Sequence, residues 1–306
     1  MIKKAVPVLL VLAVVVVYLL WPKPSESPDI PQSASSIEHQ ESEDVETASD
    51  SEPGAVASVF EMKTVQAVSE SVPYEEPSSP HDEVSAKNEV TYVVEDGVAV
   101  VNEDIVIGVP RSAKVRGSVA LESVQLWEGG VVPFHIQNDV PNKSEIIQAI
   151  AAFVETPIKF VPYTNQEDVL VFEAGSGCKS YLGKVGGKQP LWISGGCGVT
   201  EITHEIMHAL GFIHEQNRSD RDRFVEVMWD NIQEKYKHNF EIFPASLMVL
   251  SGASAFDYES VMLYQPTAFS ENGGVTMKSK TESQLAPSAA LSAGDIQRLT
   301  SVYGRN

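Results

Sequence analysis

The feature that most constrains this chain of 306 residues is a group of three histidines and a glutamate in one short segment. His204 and His208 are four residues apart, so on a helix they project from one face and can bind a single metal ion together. Glu205 lies close to that ion without having to ligate it. Gly211 ends the helix and His214 follows three residues later. Three histidines leave the fourth position of a tetrahedral Zn²⁺ open to water, which is typical of catalytic rather than structural zinc sites.

The same segment has a simpler interpretation as an ordinary core helix. Ile206, Met207, Leu210 and Phe212 would then be its buried face and the histidines would be incidental. That interpretation accounts for the apolar residues but leaves three histidines and a glutamate unexplained. We therefore expect a single Zn²⁺ ion per chain.

These residue types also indicate a chemistry. Zinc can lower the pKa of a bound water to about 7 and can polarise a carbonyl group as a Lewis acid. Glu205 would accept the proton of this zinc-activated water as general base and deliver it to the leaving amine as general acid. Two other classes of protein remain open: a zinc amidase acting on cell-wall peptides, and a catalytically silent binding module.

The amino terminus has the pattern of an export signal. Lys3 and Lys4 precede an almost wholly apolar run over residues 5–21. The run is long for the core of a cleaved signal peptide and slightly short for a spanning helix, and no small-x-small cleavage site follows it. We favour an uncleaved signal-anchor at residues 1–21, with the rest of the chain on the extracytoplasmic side of the membrane. A cleaved signal peptide would instead release the protein as secreted or periplasmic.

The formal net charge of −20 is concentrated just after this segment. Between Trp21 and Val90 there are 16 acidic and 3 basic residues, with few aromatic side chains. Such a composition cannot bury enough apolar surface to fold alone, so residues 22–88 are predicted to be an acidic disordered linker. The acidity also argues against nucleic acid as a partner, because binding to phosphates depends on basic side chains.

The two cysteines, Cys178 and Cys197, are 19 positions apart in glycine-rich segments. Cysteines in an oxidising compartment usually pair, and closing a loop of this size stabilises a protein by roughly 3 kcal/mol. Two unpaired buried thiols are the alternative. Zinc ligation by these cysteines is disfavoured, because the histidines already account for a complete site.

Order is predicted to begin near Val90. Residues 91–101 have the pattern of two strands joined by an Asp-Gly turn. The basic residues 111–117 then form either an exposed junction that a protease can cut or an ordinary surface loop. The main domain is predicted to have strands at residues 131–136, 158–161, 168–172 and 191–193, before a metal-binding helix at residues 199–210.

Two more helices are predicted in the main domain. Asn142 or Ser144 is expected to cap a helix that continues through Phe153, and a last short helix covers residues 292–303. Strands before the metal-binding helix and loops after it predict an α+β domain divided by a cleft.

Several motifs of this sequence resemble the astacin family of metzincin zinc proteases, in the order in which that family has them. The zinc motif ends in Glu215, and this residue distinguishes astacins among the metzincins. The other motifs are LWEGGVVPF at 126–134, NRSDRDR at 217–223, WDNI at 229–232, DYESVMLY at 257–264, and the segments 291–296 and 302–304.

The resemblance implies a two-lobed zinc endopeptidase that acts on protein or peptide substrates. A mixed sheet and the active-site helix would form the N-terminal lobe, and the C-terminal lobe would be rich in loops. His204, His208 and His214 would bind the zinc. Tyr264 would be a further catalytic residue, a ligand that leaves the metal to stabilise the oxyanion. Met262 would be an apolar floor beneath the histidines.

The resemblance also implies regulation by an N-terminal segment. Residues 89–117 would be a pro-segment-like unit and 118–306 the catalytic domain, with a mature amino terminus near Gly117 or Ser118 that meets Glu215. Asp104 would occupy the position of the zinc-bound water in the precursor. The family's Phe-x-Gly-Asp motif keeps only its aspartate here, so Asp104 could instead be a turn residue before a strand.

Two further features depart from the family pattern. Many members have a second disulfide, whereas this chain can form only Cys178–Cys197. Ser288 stands where an arginine is expected, so a preference for acidic residues just after the scissile bond has weak support.

Overall fold

The computed structural model describes residues 89–110, 115–121, 123–247 and 255–304. The predictions for the signal-anchor at residues 1–21 and for the acidic linker at 22–88 lie outside these residues. Among the residues that are described, no helix combines the length and the apolar character needed to cross a membrane.

The described residues form eleven strands and three helices, joined by short 3-10 turns and loops. The helices are α1 (Lys143–Ala151), α2 (Val199–Ala209) and α3 (Ala293–Tyr303). The strands are β1 (Glu89–Glu95), β2 (Val98–Val101), β3 (Ile105–Gly108), β4 (Arg116–Ala120), β5 (Val131–Ile136), β6 (Lys159–Pro162), β7 (Val169–Ala174), β8 (Lys179–Tyr181), β9 (Lys188–Ile193), β10 (Val225–Val227) and β11 (Met277–Ser279).

Nine of these strands form one mixed sheet in the order β4-β1-β2-β3-β8-β9-β7-β5-β6. The strands of the predicted pro-segment-like unit are antiparallel to one another. Strands β5, β6, β7 and β9 pair in parallel. The two groups meet where β3 pairs in parallel with β8, which is itself antiparallel to β9. The N-terminal unit therefore extends the sheet of the main domain along β8.

The predicted hairpin is present as β1 and β2. Asp96 and Gly97 connect them with φ values of 50° and 81°, which a two-residue turn of the primed type requires. Strand β4 pairs with β1 from Glu89↔Ala120 to Val93↔Arg116. The predicted boundary between residues 117 and 118 therefore falls inside β4. Of the basic stretch, residues 111–114 lie outside the described parts.

The main core lies between the sheet and the helices. Its buried residues include Val132, Phe172 and Leu191 from the sheet, Ile146 from α1 and Ile206 from α2. Strands alternate their side chains between two faces, and the helices cover the apolar face. This packing fixes the position of α2, which carries His204 and His208, relative to the sheet.

The start of α1 differs from the prediction. Asn142 is the N-cap residue, but its φ is 56° and its side chain makes no capping hydrogen bond. Its amide instead donates to the backbone carbonyls of Ser194, Gly195 and Cys197. The Asn142 side chain therefore bonds to three backbone carbonyls instead of capping the helix. These hydrogen bonds connect the start of α1 to the loop that precedes α2. The helix ends at Ala151, earlier than predicted.

The part of the chain after α2 consists mainly of loops and 3-10 turns. Strands β10 and β11 form a small antiparallel ribbon over a separate cluster that includes Phe240 and Phe256. Helix α3 begins with a capping box in which the Ser292 hydroxyl accepts from the backbone N–H of Asp295. The predicted α+β class, with a mixed sheet first and a loop-rich part after it, is confirmed.

Candidate metal centre

Helix α2 places His204, Glu205 and His208 at the boundary between the sheet and the loops. The helix ends because Gly211 adopts a φ of 99°, a conformation that glycine tolerates without strain. The chain then turns back, and His214 faces the two helical histidines. The three ring centroids lie between 4.6 and 4.9 Å apart.

Backbone carbonyls set the orientation of the two helical histidines. Nδ1 of His204 is 2.8 Å from the carbonyl oxygen of Val261, and Nδ1 of His208 is 2.7 Å from that of Phe212. Because a carbonyl only accepts, both Nδ1 atoms carry the proton and donate it. Each Nε2 therefore presents a lone pair to the centre of the cluster, as a metal ligand must.

Asp104 completes the cluster as a fourth group. Its Oδ2 lies 3.1 Å from Nε2 of His214 and 3.5 Å from Nε2 of His204, and its Oδ1 lies 3.6 Å from Nε2 of His208. One ligand atom from each of the four residues lies within 4.8 Å of the others. Burial acts to raise the pKa of Asp104. When the histidines are protonated instead of binding a metal, the charge of His214 and hydrogen bonds from His204 and His214 hold this pKa far below its ordinary value.

The donor set fits a zinc ion. Oδ1 of Asp104, Nε2 of His208 and Oε2 of Glu205 are buried side-chain atoms without a hydrogen-bond partner. Buried polar atoms normally have partners, and a cation at the centre would satisfy the first two. Three imidazoles with one carboxylate is a ligand combination that zinc accepts.

Glu205 is 2% exposed and lies between His204 and His208 in the sequence of α2. Burial, followed by the negative charge of Asp104, raises the pKa of Glu205 well above its ordinary value. A carboxylate with a raised pKa is a stronger base than an exposed one and can hold a proton in an intermediate step.

Tyr264 lies beside the cluster, with its ring centroid 4.7 Å from that of His214. Its hydroxyl donates to the backbone carbonyl of Asn102 at 2.9 Å. Burial and the neighbouring carboxylates raise the pKa of Tyr264 well above its ordinary value, so the hydroxyl stays protonated and acts as a donor. In this structure the Tyr264 hydroxyl is therefore hydrogen-bonded to a residue of the N-terminal unit.

Sequence reasoning did not identify Asn102 as a site residue. This asparagine is 1% exposed, and its amide nitrogen lies 3.3 Å from Nδ1 of His214 and donates to Oδ1 of Asn217 at 2.7 Å. It adopts a φ of 56°, and Glu103 after it has a φ of 76°. Glu103 occupies the position of the glycine in the Phe-x-Gly-Asp motif. Both strained residues direct the chain so that Asp104 reaches the histidines.

Glu215 is buried among cationic groups. Its Oε1 accepts from Arg218 at 2.9 Å, from Arg298 at 2.7 Å and from the backbone N–H of Asp257 at 2.7 Å. Burial raises the pKa of Glu215, and the two arginines oppose that effect. Arg298 on α3 was not identified from the sequence, because nothing in the local pattern links it to Glu215. The predicted meeting of Glu215 with a mature amino terminus stays a prediction.

Met262 is 1% exposed and packs in the main core next to α2. Its turn is held by Asp295, which accepts from the Ser260 hydroxyl at 2.6 Å and from the Val261 N–H at 2.9 Å. The carbonyl of Met262 also accepts from the N–H of Glu215 at 2.9 Å. The turn therefore fixes Val261, whose carbonyl orients His204.

Comparisons with known proteins agree with this geometry. The family model described as Astacin, a family of peptidases, matches residues 120–304. Zinc metalloproteinase nas-6 of Caenorhabditis elegans is 38% identical over 192 residues, which are 60% of this chain and 56% of that protein. Meprin A subunit alpha of Rattus norvegicus is 34% identical over 171 residues, covering 54% of this chain and 23% of that protein.

A solved structure is also similar. High choriolytic enzyme 1, a hatching enzyme zinc-protease from Oryzias latipes, has 32% sequence identity and a TM-score of 0.52, and the match covers 60% of this chain and 94% of that chain. The chain spans about half the length of the first curated relatives it matches.

Proposed function

Because the chain belongs to the astacin family of peptidases, we propose that it is a zinc-dependent endopeptidase that cleaves protein or peptide substrates. One observation carries the proposal. The ligand atoms of His204, His208 and His214 lie within 4.8 Å of one another, and Glu205 on the same helix as the first two has a buried Oε2 without a partner. A silent binding module or a zinc amidase acting on cell-wall peptides has no comparable support among the relatives.

The metal is zinc, and we assign its ligation to His204, His208 and His214. When bound there, zinc supplies a Lewis acid that polarises the scissile carbonyl and increases the acidity of a water molecule. The protein contributes the fixed Nε2 directions, which the carbonyls of Val261 and Phe212 impose. Asp104 would leave the centre before substrate can enter.

Glu205 and Tyr264 are the proposed catalytic residues. Oε2 of Glu205 accepts a proton from the attacking water and later delivers it to the leaving amine. The hydroxyl of Tyr264, once released from the carbonyl of Asn102, would donate to the oxygen on which negative charge develops. Such donors are effective because they are fixed in place before the charge forms.

Strand β8 is the proposed binding strand for substrate. It lies next to the metal centre, and in this structure β3 occupies its outer edge. Extended peptides bind to an exposed sheet edge by adding a strand. With β3 removed, β8 would offer that edge to a substrate. Residues 89–117 are therefore proposed to keep the precursor inactive, through Asp104 at the histidines and β3 along β8.

We further propose that the catalytic domain lies outside the cytoplasm. The apolar run at residues 5–21 would anchor it in the membrane, or would be removed to release it, and the pairing of Cys178 with Cys197 supports an oxidising compartment. The acidic chain supports a protein or peptide rather than a nucleic acid partner.

Removal of the metal tests the proposed function. The full chain, before and after limited digestion with trypsin that is then stopped by a trypsin inhibitor, is incubated with a denatured protein and with a cell-wall-type amide. We expect digestion to produce proteolytic activity that a zinc chelator abolishes and added Zn²⁺ restores. Proteolysis that persists in the chelator would contradict the zinc mechanism, and hydrolysis of the wall amide alone would favour the amidase.

Replacement of Asp104 by alanine tests its role in the precursor. Undigested Asp104→Ala protein should cleave a peptide at least about tenfold faster than undigested wild type, because the strongest contact with the histidines is lost. Full activity is not expected, since β3 still pairs with β8 and Asn102 still holds Tyr264. Asp104→Asn should give a smaller increase. Equal activity of wild type and Asp104→Ala would identify Asp104 as a simple turn residue.

A further inference from the structure

Lys179, the first residue of β8, is a nearly buried lysine whose acidic partners come from the N-terminal unit. Its Nζ lies 2.5 Å from Oε2 of Glu95 and 3.9 Å from Oδ2 of Asp96, and its side chain is 11% exposed. The hydroxyl of Ser176 donates to Oδ2 of the same Asp96 at 2.5 Å. The Lys179 ammonium and the Ser176 hydroxyl thus both bind carboxylates at the end of the β1–β2 hairpin.

This pair of groups lies at the proposed substrate strand. The next residue, Ser180, donates its backbone N–H to the carbonyl of Asp104 at 3.0 Å, at the point where the N-terminal unit crosses the metal centre.

The segment that carries Lys179 is held rigidly. Cys178 is bonded to Cys197, two residues before α2. Lys179 pairs with Trp192 of β9, and a side chain at Gly175 would come within 2.6 Å of Cβ of Trp192. Binding groups on a rigid support lose little conformational freedom when a ligand binds.

We propose that Lys179 and Ser176 form a subsite for a carboxylate side chain of the substrate, and that Glu95 and Asp96 occupy this subsite in the precursor. The inference rests on the proposed endopeptidase function. Removal of residues 89–117 takes away both acidic partners while Lys179 stays on β8, and an ammonium group that has lost its carboxylate partners favours another carboxylate in the same place. Lys179 is a different residue from the arginine of the family pattern, whose position is occupied by Ser288 in this chain.

The neighbouring Lys184 is a matched control. Its Nζ binds Oδ2 of Asp168 at 2.7 Å, and both residues belong to the main domain. Its partner therefore remains after the N-terminal unit is removed, so it has no vacant position for a substrate carboxylate.

The test uses full-length wild type, Lys179→Gln, Ser176→Ala and Lys184→Gln, each activated by limited trypsin digestion that is then stopped by a trypsin inhibitor. Peptides of one backbone carry Glu, Gln or Lys at each of the three positions on either side of the scissile bond. At one position we expect wild type and Lys184→Gln to prefer Glu over Gln by about tenfold in kcat/KM. Lys179→Gln should lose this preference and Ser176→Ala should reduce it, while the control Lys184→Gln should cleave both the Glu and the Gln peptide at the wild-type rate.

Two results would overturn the inference while leaving the endopeptidase function intact: no preference for Glu at any position in wild type, or the same preference in Lys179→Gln. Equal loss of cleavage of the Glu and Gln peptides in Lys179→Gln would assign the lysine to structure rather than to specificity. If digested wild type cleaves none of the peptides, the proposed function fails and the subsite is rejected with it.

Discussion

Replacement of Glu205 by glutamine should lower kcat for peptide hydrolysis by about 10²- to 10⁴-fold, the range expected when a general acid–base group is lost. Glutamine has nearly the same size and cannot accept the proton of the attacking water. Because Glu205 is not a proposed zinc ligand, the variant should bind zinc as wild type does. Kinetics on trypsin-activated protein and metal analysis of the same samples would measure both quantities.

Glu201 provides a control on the same helix. It is exposed, and its carboxylate accepts from the N–H of Gly198 as part of the helix cap. Glu201→Gln retains an acceptor oxygen and should keep nearly full activity. If Glu205→Gln were as active as Glu201→Gln, another residue would have to be the base.

The second large effect is expected in stability. Glu215→Ala removes a buried carboxylate that two guanidinium groups, those of Arg218 and Arg298, share. Breaking a buried ion pair by removing one partner typically costs about 3–5 kcal/mol, because the remaining charge stays in the interior. We expect a loss of this size in the free energy of unfolding, measured by urea denaturation with the slope of the transition compared between variants.

An exposed ion pair gives the matched comparison. Glu226 lies 3.0 Å from Lys278 on the β10–β11 ribbon, with both side chains about half exposed. Glu226→Ala should change the free energy of unfolding by less than about 1 kcal/mol, since water screens such pairs. Similar losses in the two variants would mean that Glu215 is not the centre of a buried network.

Helix α2 could be predicted from the sequence because its information is local. His204 and His208 share a helix face through their spacing, and Gly211 ends that helix at a positive φ. The β1–β2 hairpin is equally local, since Asp96 and Gly97 suit the turn by themselves. For such elements, the residues that form the recognisable sequence pattern are the same few residues that determine the local backbone conformation.

The contacts that sequence reasoning missed join distant parts of the chain. Asn102 reaches Tyr264 across 162 positions, and Arg298 reaches Glu215 across 83. Strand β8 has only three residues, too few to show an alternating pattern, and its parallel pairing with β3 depends on the folded sheet. Asn142 has the residue type of a helix cap, but three carbonyls of a distant loop compete for its amide.

The nine-stranded sheet joins two units that are proposed to separate. Besides pairing β3 with β8, they share a small apolar cluster in which Val90, Val101 and Ile105 pack against residues such as Ile213 and Phe243. After cleavage the released unit would keep the strand and the apolar side chains that fit the cleft. It would then be a competitive inhibitor acting in trans. Full activity would therefore require dilution or further degradation of the released unit as well as the first cut.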